Sequence, residues 1–393
     1  MTAVRVLILG VVAGLSSFGV DFYLPATKAL ALSFDSEVSA AGLNVSLFFL
    51  GIAVGQFIGG ALSDAFGRKK LLVVALLVFI VASISQIFSS TLGLFIALRS
   101  IQGVAGGALA VVVTAIICDE NDVRGTAKLL SQTTVISIGM RFIAPMLAGY
   151  LVAFVDWHAL PAIVSILSIA CLIFVLFHID ETLPAAKRRR RSLVHSLQDI
   201  WMILCNSRTR IFIAIEMCCS VGLFAFVTGS AHHFIENYLL SSTEFGYVYS
   251  GFTVVLLVAV FSNQWLVTKF GIALMMRSSI PVQLFFASAL IFTARFFEPV
   301  LWLHITLLAG YLASAFIIRL NATAAAVKSI PEVQGTAASI ISTISFGVGG
   351  LIGVQMTLLS GVTTYALEYL IFASSVFLFL YFLLCLRSRA FNQ

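Results

Sequence analysis

The residues Gly60-Ala-Leu-Ser-Asp-Ala-Phe-Gly-Arg-Lys-Lys70 form a short charged turn between two long apolar runs. Asp64 precedes Arg68 by four residues, and Gly67 lies between them, where it lets the chain reverse its direction. Charged side chains in so apolar a chain must lie where there is water. The turn therefore marks the position of the chain on one side of a membrane.

The composition around this turn excludes a soluble globular domain. Of the 393 residues, 60% are hydrophobic and only 10% are charged, whereas soluble domains carry about 25% charged residues. Apolar stretches of about 20 residues, long enough to cross a bilayer as helices, recur along the whole chain. We therefore expect an all-α membrane protein.

The apolar segments number twelve, and a polar stretch divides them into six plus six. They cover residues 5–31, 38–62, 70–89, 91–117, 127–154, 158–178, 210–239, 244–267, 275–295, 299–326, 334–358 and 362–386. We predict twelve transmembrane helices in two six-helix bundles, residues 1–178 and residues 210–393. A cytoplasmic basic linker, residues 179–209, joins them.

The basic residues of the loops predict the orientation, because positively charged loops stay in the cytoplasm. With the N-terminus inside, only Lys28 and Arg295 face outward, against eighteen basic residues that face inward. The inward set is Arg5, Arg68, Lys69, Lys70, Arg124, Lys128, Lys187, Arg188, Arg189, Arg190, Arg191, Arg208, Arg210, Lys269, Arg277, Lys328, Arg387 and Arg389. Both termini are therefore expected in the cytoplasm.

The net charge of +6 follows from the same excess of basic residues in the cytoplasmic loops. Its densest part, the run from Lys187 to Arg191, is expected to lie near anionic lipid headgroups at the cytoplasmic surface. The charge therefore does not indicate a nucleic-acid partner.

A weak internal repeat connects the two halves. Residues 61–69, Ala-Leu-Ser-Asp-Ala-Phe-Gly-Arg-Lys, resemble residues 265–273, Trp-Leu-Val-Thr-Lys-Phe-Gly-Ile-Ala. Thr268 stands in place of Asp64 in the second copy. Equivalent loops in both halves indicate duplicated bundles, the architecture of many secondary transporters.

Three further stretches accompany the charged turn: Arg99-Ser-Ile-Gln-Gly103, Ala144-Pro-Met-Leu-Ala-Gly149 and Asp21-Phe-Tyr-Leu-Pro-Ala26. Together the four resemble motifs of the major facilitator superfamily, and more narrowly of its Bcr/CflA drug-resistance branch of proton antiporters. The second of the three is similar to the antiporter motif of the fifth span. The resemblance therefore implies functional roles for Pro145 and Gly149.

The resemblance also implies that the charged turn is a cytoplasmic gate made by Asp64, Gly67 and Arg68. In the superfamily the aspartate of this loop faces the start of span eleven, here residues 331–335, where a helix N-terminus favours an anion. Arg68 would hold Asp64 or a neighbouring acid such as Asp119. The alternative is a tight basic turn that only obeys the positive-inside rule.

Three ionisable residues, Asp21, Arg99 and Arg141, fall at similar depths inside the membrane when helices rise about 1.5 Å per residue. Buried charges at that depth are costly, so we predict that Asp21 pairs with Arg99, Arg141 or both. One interpretation makes Asp21 a protonation site that couples transport to a proton gradient. The alternative is a static ion pair that orders the bundle.

A second pair, Glu216 and Arg319, matches in depth near the cytoplasmic ends of spans seven and ten. In the superfamily spans one, four, seven and ten line the cavity, so this pair is a candidate for a second site or an inner gate. The alternative is that Glu216 reaches the interface and Arg319 caps its helix.

Four uncharged side chains sit where the expected cavity could use them to bind a substrate, namely Tyr23, Gln102, Phe224 and Phe226. His232, His233 and Glu236 lie near the outer end of span seven. They could relay protons, but we expect them to be solvated at the interface.

Motifs for enzymatic chemistry are absent from the sequence. There is no Gly-x-x-x-x-Gly-Lys-Ser/Thr loop for ATP, no His-Glu-x-x-His and no Gly-x-Ser-x-Gly. We expect no enzyme activity, no cofactor and no bound metal, and energy must come from an ion gradient or from the gradient of the substrate.

The resemblance thus implies a monomeric, proton-coupled secondary transporter of the bacterial inner membrane that exports small organic compounds such as drugs by alternating access. A dedicated transporter of an anionic metabolite or siderophore is an alternative that Arg141 and Arg319 favour. An alternative of another class is a non-transporting membrane sensor or scaffold.

Overall fold

The computed structural model describes residues 3–188, 200–203, 205–330 and 334–385, and the regular secondary structure of these parts is all helical. The helices of the first half are α1 (Ala3–Asp21), α2 (Thr27–Ser33), α3 (Val38–Phe66), α4 (Arg68–Ile87), α5 (Leu92–Glu120), α6 (Val123–Phe154) and α7 (Ala159–His178). A short 3₁₀ turn follows at Ala185–Lys187.

The second half contains five long helices. They are α8 (Ser207–His232), which a π-helix continues at His233–Asn237, α9 (Ser242–Phe296), α10 (Leu301–Lys328), α11 (Gln334–Ser360) and α12 (Ala366–Cys385). Within the described chain, eleven helices are long and apolar enough to cross a membrane.

α9 differs from the other helices in its length of 55 residues, which is enough to cross a bilayer twice. Its run is broken at Gly271, which has a φ of 75° and a ψ of 161°. The break falls between the predicted segments 244–267 and 275–295.

The first helix is shorter than the predicted apolar segment 5–31. α1 ends at Asp21, residues 22–26 form turns, and α2 starts at Thr27. Pro25 explains the break, because a proline lacks an N–H donor and disfavours helical backbone at the residue before it. A continuous first helix was therefore the wrong expectation, and the break leaves Asp21 as the last residue of α1.

α3 and α5 are in close backbone contact in the first half. A Cβ atom on Gly51, Gly55, Gly103 or Gly107 would collide with backbone atoms of the opposite helix. Glycine permits this approach because it has no side chain. The same face of α5 buries Arg99 completely.

The described contacts divide the chain into two compact units. The first contains Met1–Gln198 together with Ser241–Ser250, and the second contains Asp199–Leu240 and Gly251–Gln393. The start of α9 thus belongs to the first unit. The expected boundaries at 1–178, 179–209 and 210–393 remain a prediction.

The second unit is built around α8. Ile215 of α8, Ile318 of α10, Ile341 of α11 and Leu378 of α12 belong to one core cluster, and each is at most 2% exposed. α8 is therefore surrounded by three other helices, and any polar group on it must find a partner inside the unit.

Candidate functional site

Asp21 is a completely buried carboxylate at the end of α1, with 0% exposure. Its Oδ2 accepts a hydrogen bond from Nε of Arg141 at 2.7 Å, which also forms an ion pair. Its Oδ1 accepts a hydrogen bond from the hydroxyl of Tyr249 at 3.1 Å. Both carboxylate oxygens thus have a donor, as a buried anion requires.

The packing of α1 on α6 brings the pair together. A Cβ atom on Gly10 would contact Ile136, and one on Gly14 would contact Met140. The two helices therefore run side by side in the same direction. In this register Arg141, the residue after Met140, starts lower along α1 than Asp21, and its long side chain spans the remaining distance to the carboxylate.

The first turns of α9 supply Tyr249, and they run against α6 in the opposite direction. Thr243 donates a hydrogen bond to the carbonyl of Gly149 at 3.2 Å, and Ser250 donates one to the carbonyl of Phe142 at 2.8 Å. Tyr249 therefore lies level with Arg141. Sequence reasoning missed this tyrosine, because it lies 228 residues from Asp21 and no local pattern marks it.

The two residues of the resembled antiporter motif lie at the same contact. A Cβ atom on Gly149 would collide with the carbonyl oxygen of Ser242, and one on Gly246 would collide with the carbonyl oxygen of Pro145. Pro145 and Gly149 thus lie where α6 and α9 approach most closely, within about two turns of Arg141.

Arg99 does not share the carboxylate of Asp21. Its Nη2 donates to the carbonyl of Gly19 at 2.7 Å, and its Nη1 donates to Oε1 of Gln102 at 2.6 Å. Its guanidinium carbon lies 4.1 Å from the ring centre of Tyr23 and 4.2 Å from that of Phe48. Among the described contacts, Arg99 is thus held by two rings and two neutral acceptors.

Tyr23 and Gln102 belong to a buried polar network around Arg99, and both are 0% exposed. The hydroxyl of Tyr23 donates to Gln86 at 2.9 Å, and Gln86 donates to Oε1 of Gln102 at 3.2 Å. Gln102 in turn donates to Ser83 at 2.6 Å. These contacts position Arg99, and a role for either residue in binding a substrate stays a prediction.

Glu216 and Arg319 lie together in the second unit. Oε1 of Glu216 accepts from Nε of Arg319 at 2.8 Å, from Ser220 at 3.0 Å and from Ser345 at 2.8 Å. Glu216 is 1% exposed. It is therefore paired inside the unit and does not reach the membrane interface.

This pair lines a cavity of about 710 Å³ in the second unit. Lys328, Thr323 and Ser342 are also on its wall, together with apolar residues such as Phe316. Its wall therefore carries two cations and one anion.

The other two candidate aromatic residues lie elsewhere in the second unit. Phe224 packs against Phe346 with 5.7 Å between ring centres, and Phe226 packs against Phe252 at 5.1 Å.

In the charged turn, Arg68 contacts two carboxylates. Its Nη1 lies 2.6 Å from Asp64 and its Nε lies 3.0 Å from Asp119. Its backbone N–H donates to Glu181 at 2.8 Å. Gly67 starts α4 with a φ of 101°, and a Cβ atom there would collide with the carboxylate of Glu181.

Two predicted features of the cytoplasmic side include residues that lie outside the described part of the chain. Residues 331–333, the start of the segment proposed to face Asp64, lie outside the described residues, and so do residues 189–191 of the basic run.

The outer end of α8 differs from expectation. His233 is 4% exposed and lies against His304 and Glu368, which are also buried. The expectation of a solvated histidine was therefore wrong for His233. The sequence shows no signal for this cluster, because its members are 71 and 64 residues apart along the chain.

Comparison of the sequence with known proteins shows the family to which the chain is related. A model of the Major Facilitator Superfamily matches residues 7–354. The chain is 29% identical over 352 residues to a bicyclomycin resistance protein homolog of Haemophilus influenzae, covering 90% of this chain and 88% of that protein. It is 31% identical over 168 residues to the multidrug resistance protein MdtL of Escherichia coli, covering 43% of each chain.

Solved structures show the same fold. The nucleoside transporter NupG superposes with a TM-score of 0.75 at 15% identity, covering 96% of this chain and 99% of that one. The inward-open xylose transporter XylE of E. coli gives a TM-score of 0.71 at 15% identity, covering 96% and 95%.

Proposed function

The chain belongs to the major facilitator superfamily, and we propose that it uses Asp21 to couple the export of small organic compounds to the inward flow of protons. It is a multi-pass transporter of the bacterial inner membrane, related to bicyclomycin and multidrug resistance proteins. The observation that carries the proposal is the buried carboxylate of Asp21 between Arg141 and Tyr249.

The chemistry of this site suits a proton switch. An ionised Asp21 binds the guanidinium of Arg141 through a charge-assisted hydrogen bond. A proton on the carboxyl group removes that charge and weakens the contact. The helices that carry the partners, α1, α6 and the start of α9, are then free to separate, so protonation changes the relative stability of two conformations.

The cargo is proposed from the names of the relatives. Resistance to bicyclomycin and to multiple drugs is stated for those proteins, and we infer drug-like organic compounds for this chain. An anionic metabolite is the second candidate, and the cavity of the second unit favours it, because Arg319 and Lys328 line its wall beside the one carboxylate of Glu216.

We also propose that the chain crosses the membrane twelve times. The break at Gly271 divides α9 into two limbs, and with these limbs counted separately the eleven membrane-length helices become twelve. Both termini then lie in the cytoplasm, six spans form each bundle, and the basic run meets anionic lipids. We propose a monomer as the working unit.

The test is transport by purified protein in liposomes, with an imposed pH gradient and a panel of drug-like and anionic compounds. Asp21→Asn keeps the size of the side chain and one acceptor oxygen but removes its titration. Uphill transport should fall to the level of protein-free vesicles, while the folded protein still enters the liposomes.

The matched control is Asp35→Asn, an exposed aspartate whose φ of 47° asparagine tolerates well. It should transport like the parent protein. Unimpaired uphill transport by Asp21→Asn would reject the coupling role. If the parent protein moves protons with no compound of the panel, the sensor or scaffold alternative is favoured instead.

A further inference from the structure

Three side chains that can bind a metal ion meet inside the second unit. His233 starts the π-helix after α8, His304 lies in the first turn of α10, and Glu368 lies in the first turn of α12. Their exposures are 4%, 4% and 1%. The cluster lies 17 residues along α8 from Glu216, about 25 Å away, so it is separate from the cavity described above.

The potential ligand atoms face one another. Nε2 of His233 lies 3.0 Å from Nε2 of His304, and Oε1 of Glu368 lies 3.5 Å from the first and 3.8 Å from the second. In a tetrahedral zinc site with bonds of about 2.0–2.1 Å, ligand atoms are separated by about 3.3 Å. The three separations thus match one face of a tetrahedron.

Hydrogen bonds alone leave this cluster incompletely satisfied. Two nitrogens 3.0 Å apart can share only one proton, and the Oε2 atom of Glu368 is buried without a hydrogen-bond partner among the described residues. An unpaired buried carboxylate oxygen is costly. A cation bound by the two imidazoles and the carboxylate would satisfy all three groups at once.

The local backbone also departs from regular structure at this point. His233–Asn237 is a π-helix, a feature that occurs often at functional sites. The turn that follows contains Leu239 at a φ of 57°, a value unusual for leucine. This backbone presents the His233 ring to His304 and Glu368.

An aromatic ring and an amide close off the surroundings of the three side chains. The ring of Tyr238 lies 5.4 Å from each imidazole. Asn237 lies 3.4 Å from Nδ1 of His233 and donates to the carbonyl of Thr364 at 3.0 Å. The Asn237 amide thus lies beside the ring nitrogen of His233 that does not face His304.

We propose that His233, His304 and Glu368 form a site for a divalent transition-metal ion, with Zn²⁺ as the ion that suits two imidazoles and one carboxylate. The ion joins the outer ends of α8, α10 and α12 and thereby stabilises the second unit. The site is independent of the proposed proton coupling at Asp21.

Co²⁺ is the probe for this site, because it replaces Zn²⁺ in tetrahedral sites and absorbs visible light there. The full-length protein, purified in detergent and treated with chelator, is titrated with Co²⁺. We expect one equivalent to give the intense bands of a four-coordinate ion and Zn²⁺ to displace it. Zn²⁺ should also raise the apparent melting temperature of the metal-free protein.

His233→Ala, His304→Ala and Glu368→Gln should each weaken Co²⁺ binding by more than about tenfold. The matched control is His232→Ala, the neighbouring histidine outside the triad, which should bind Co²⁺ like the parent protein. His304→Cys guards against variants that fail to fold, because a thiolate ligand should restore binding and add a charge-transfer band.

Saturable binding that follows this pattern supports the site. Absence of saturable Co²⁺ binding by the parent protein would overturn it. Binding that survives all three ligand substitutions, or that His232→Ala removes, would equally overturn it, since the ion would then be held elsewhere.

Discussion

Arg99, which is completely buried, and Arg141, whose side chain is 35% exposed, show how two arginines of one unit are satisfied in different ways. Arg141 binds the carboxylate of Asp21. Arg99 lies between the rings of Tyr23 and Phe48 and donates to neutral oxygens. Asp21 therefore carries only one cationic partner in the described structure, so a single proton on it can break the only ion pair that it makes there.

Replacing Arg99 with lysine tests whether its planar group matters beyond its charge. Lysine cannot stack flat between two rings while it donates to two oxygens in different directions. Arg99→Lys should therefore lower the apparent melting temperature in detergent by about 5 °C or more. Arg295→Lys, at an exposed arginine, is the control and should leave the melting temperature unchanged; equal melting of both variants would contradict the argument.

Tyr249 should set the pH range of transport. Its hydroxyl donates to the ionised carboxylate of Asp21 at 3.1 Å, and a donor of this kind favours the charged form. Without it the carboxylate takes up a proton more readily, so the pH profile of transport by Tyr249→Phe should move to higher pH.

The control for this experiment lies two residues earlier in the same helix. Tyr247 is 55% exposed, and Tyr247→Phe should keep the parent profile. Reconstituted transport measured across a series of matched pH values decides the point. A profile that is unchanged in Tyr249→Phe, or that moves equally in both variants, would exclude Tyr249 from the coupling site.

Sequence reasoning found part of this site and missed the rest for a physical reason. Asp21 and Arg141 were identified because a charge inside a long apolar run is unusual in itself. Tyr249, His304 and Glu368 give no such signal, because a tyrosine, or a histidine or glutamate near a helix end, is common in membrane helices. Their roles depend on contacts between distant segments.

At the scale of elements, the weak repeat between residues 61–69 and 265–273 has a backbone counterpart. Gly67 has a φ of 101° and a ψ of 153°, and Gly271 has a φ of 75° and a ψ of 161°. They are the glycines with positive φ among the described residues, and they hold equivalent positions in the two copies. The repeat therefore preserves a turn conformation after most of its side chains have changed.

The two glycines should nevertheless respond differently to alanine. Both positions disfavour a side chain by about 1–3 kcal/mol because their backbone lies in a region that is essentially restricted to glycine. Gly67 also faces the carboxylate of Glu181, whereas no atom of the described residues lies within 4 Å of a Cβ atom on Gly271. Gly67→Ala should therefore lower the apparent melting temperature more than Gly271→Ala does, and a larger loss in Gly271→Ala would contradict the packing described for this turn.

The helices also show which structural features a hydropathy pattern is sufficient to predict. Apolar runs located the helices, because a span needs only length and apolar composition. They did not locate the end of α1, where hydrophobic residues continue through the turns at 22–26 and Pro25 ends the helical backbone. The position of Asp21 at that break is a matter of backbone hydrogen bonding, which hydropathy does not measure.

At the scale of the whole molecule, each unit contains an ion pair on a buried carboxylate. Asp21 and Arg141 belong to the first unit, and Glu216 and Arg319 belong to the second. α9 connects them along the chain, since it carries Tyr249 in the first unit and continues into the second. A change at Asp21 can thus reach the second unit through a covalently continuous helix.

The orientation of the whole chain can be tested with single cysteines, because eighteen inward against two outward basic residues predict it strongly. In a variant without the six native cysteines, Glu298→Cys lies in the exposed connection between α9 and α10, on the predicted outer side. Lys269→Cys lies at an exposed position next to Gly271, on the predicted inner side.

A membrane-impermeant maleimide added to cells with a permeabilised outer membrane should label Glu298→Cys and leave Lys269→Cys unlabelled. Disruption of the inner membrane should then expose Lys269→Cys to the same reagent. The pair also tests whether the second limb of α9 crosses the membrane, because a surface helix would leave positions 269 and 298 on the same side. Labelling of both cysteines in intact inner membranes would rule out the twelve-span topology, whereas labelling of Glu298→Cys alone requires that α9 cross the membrane between the two positions.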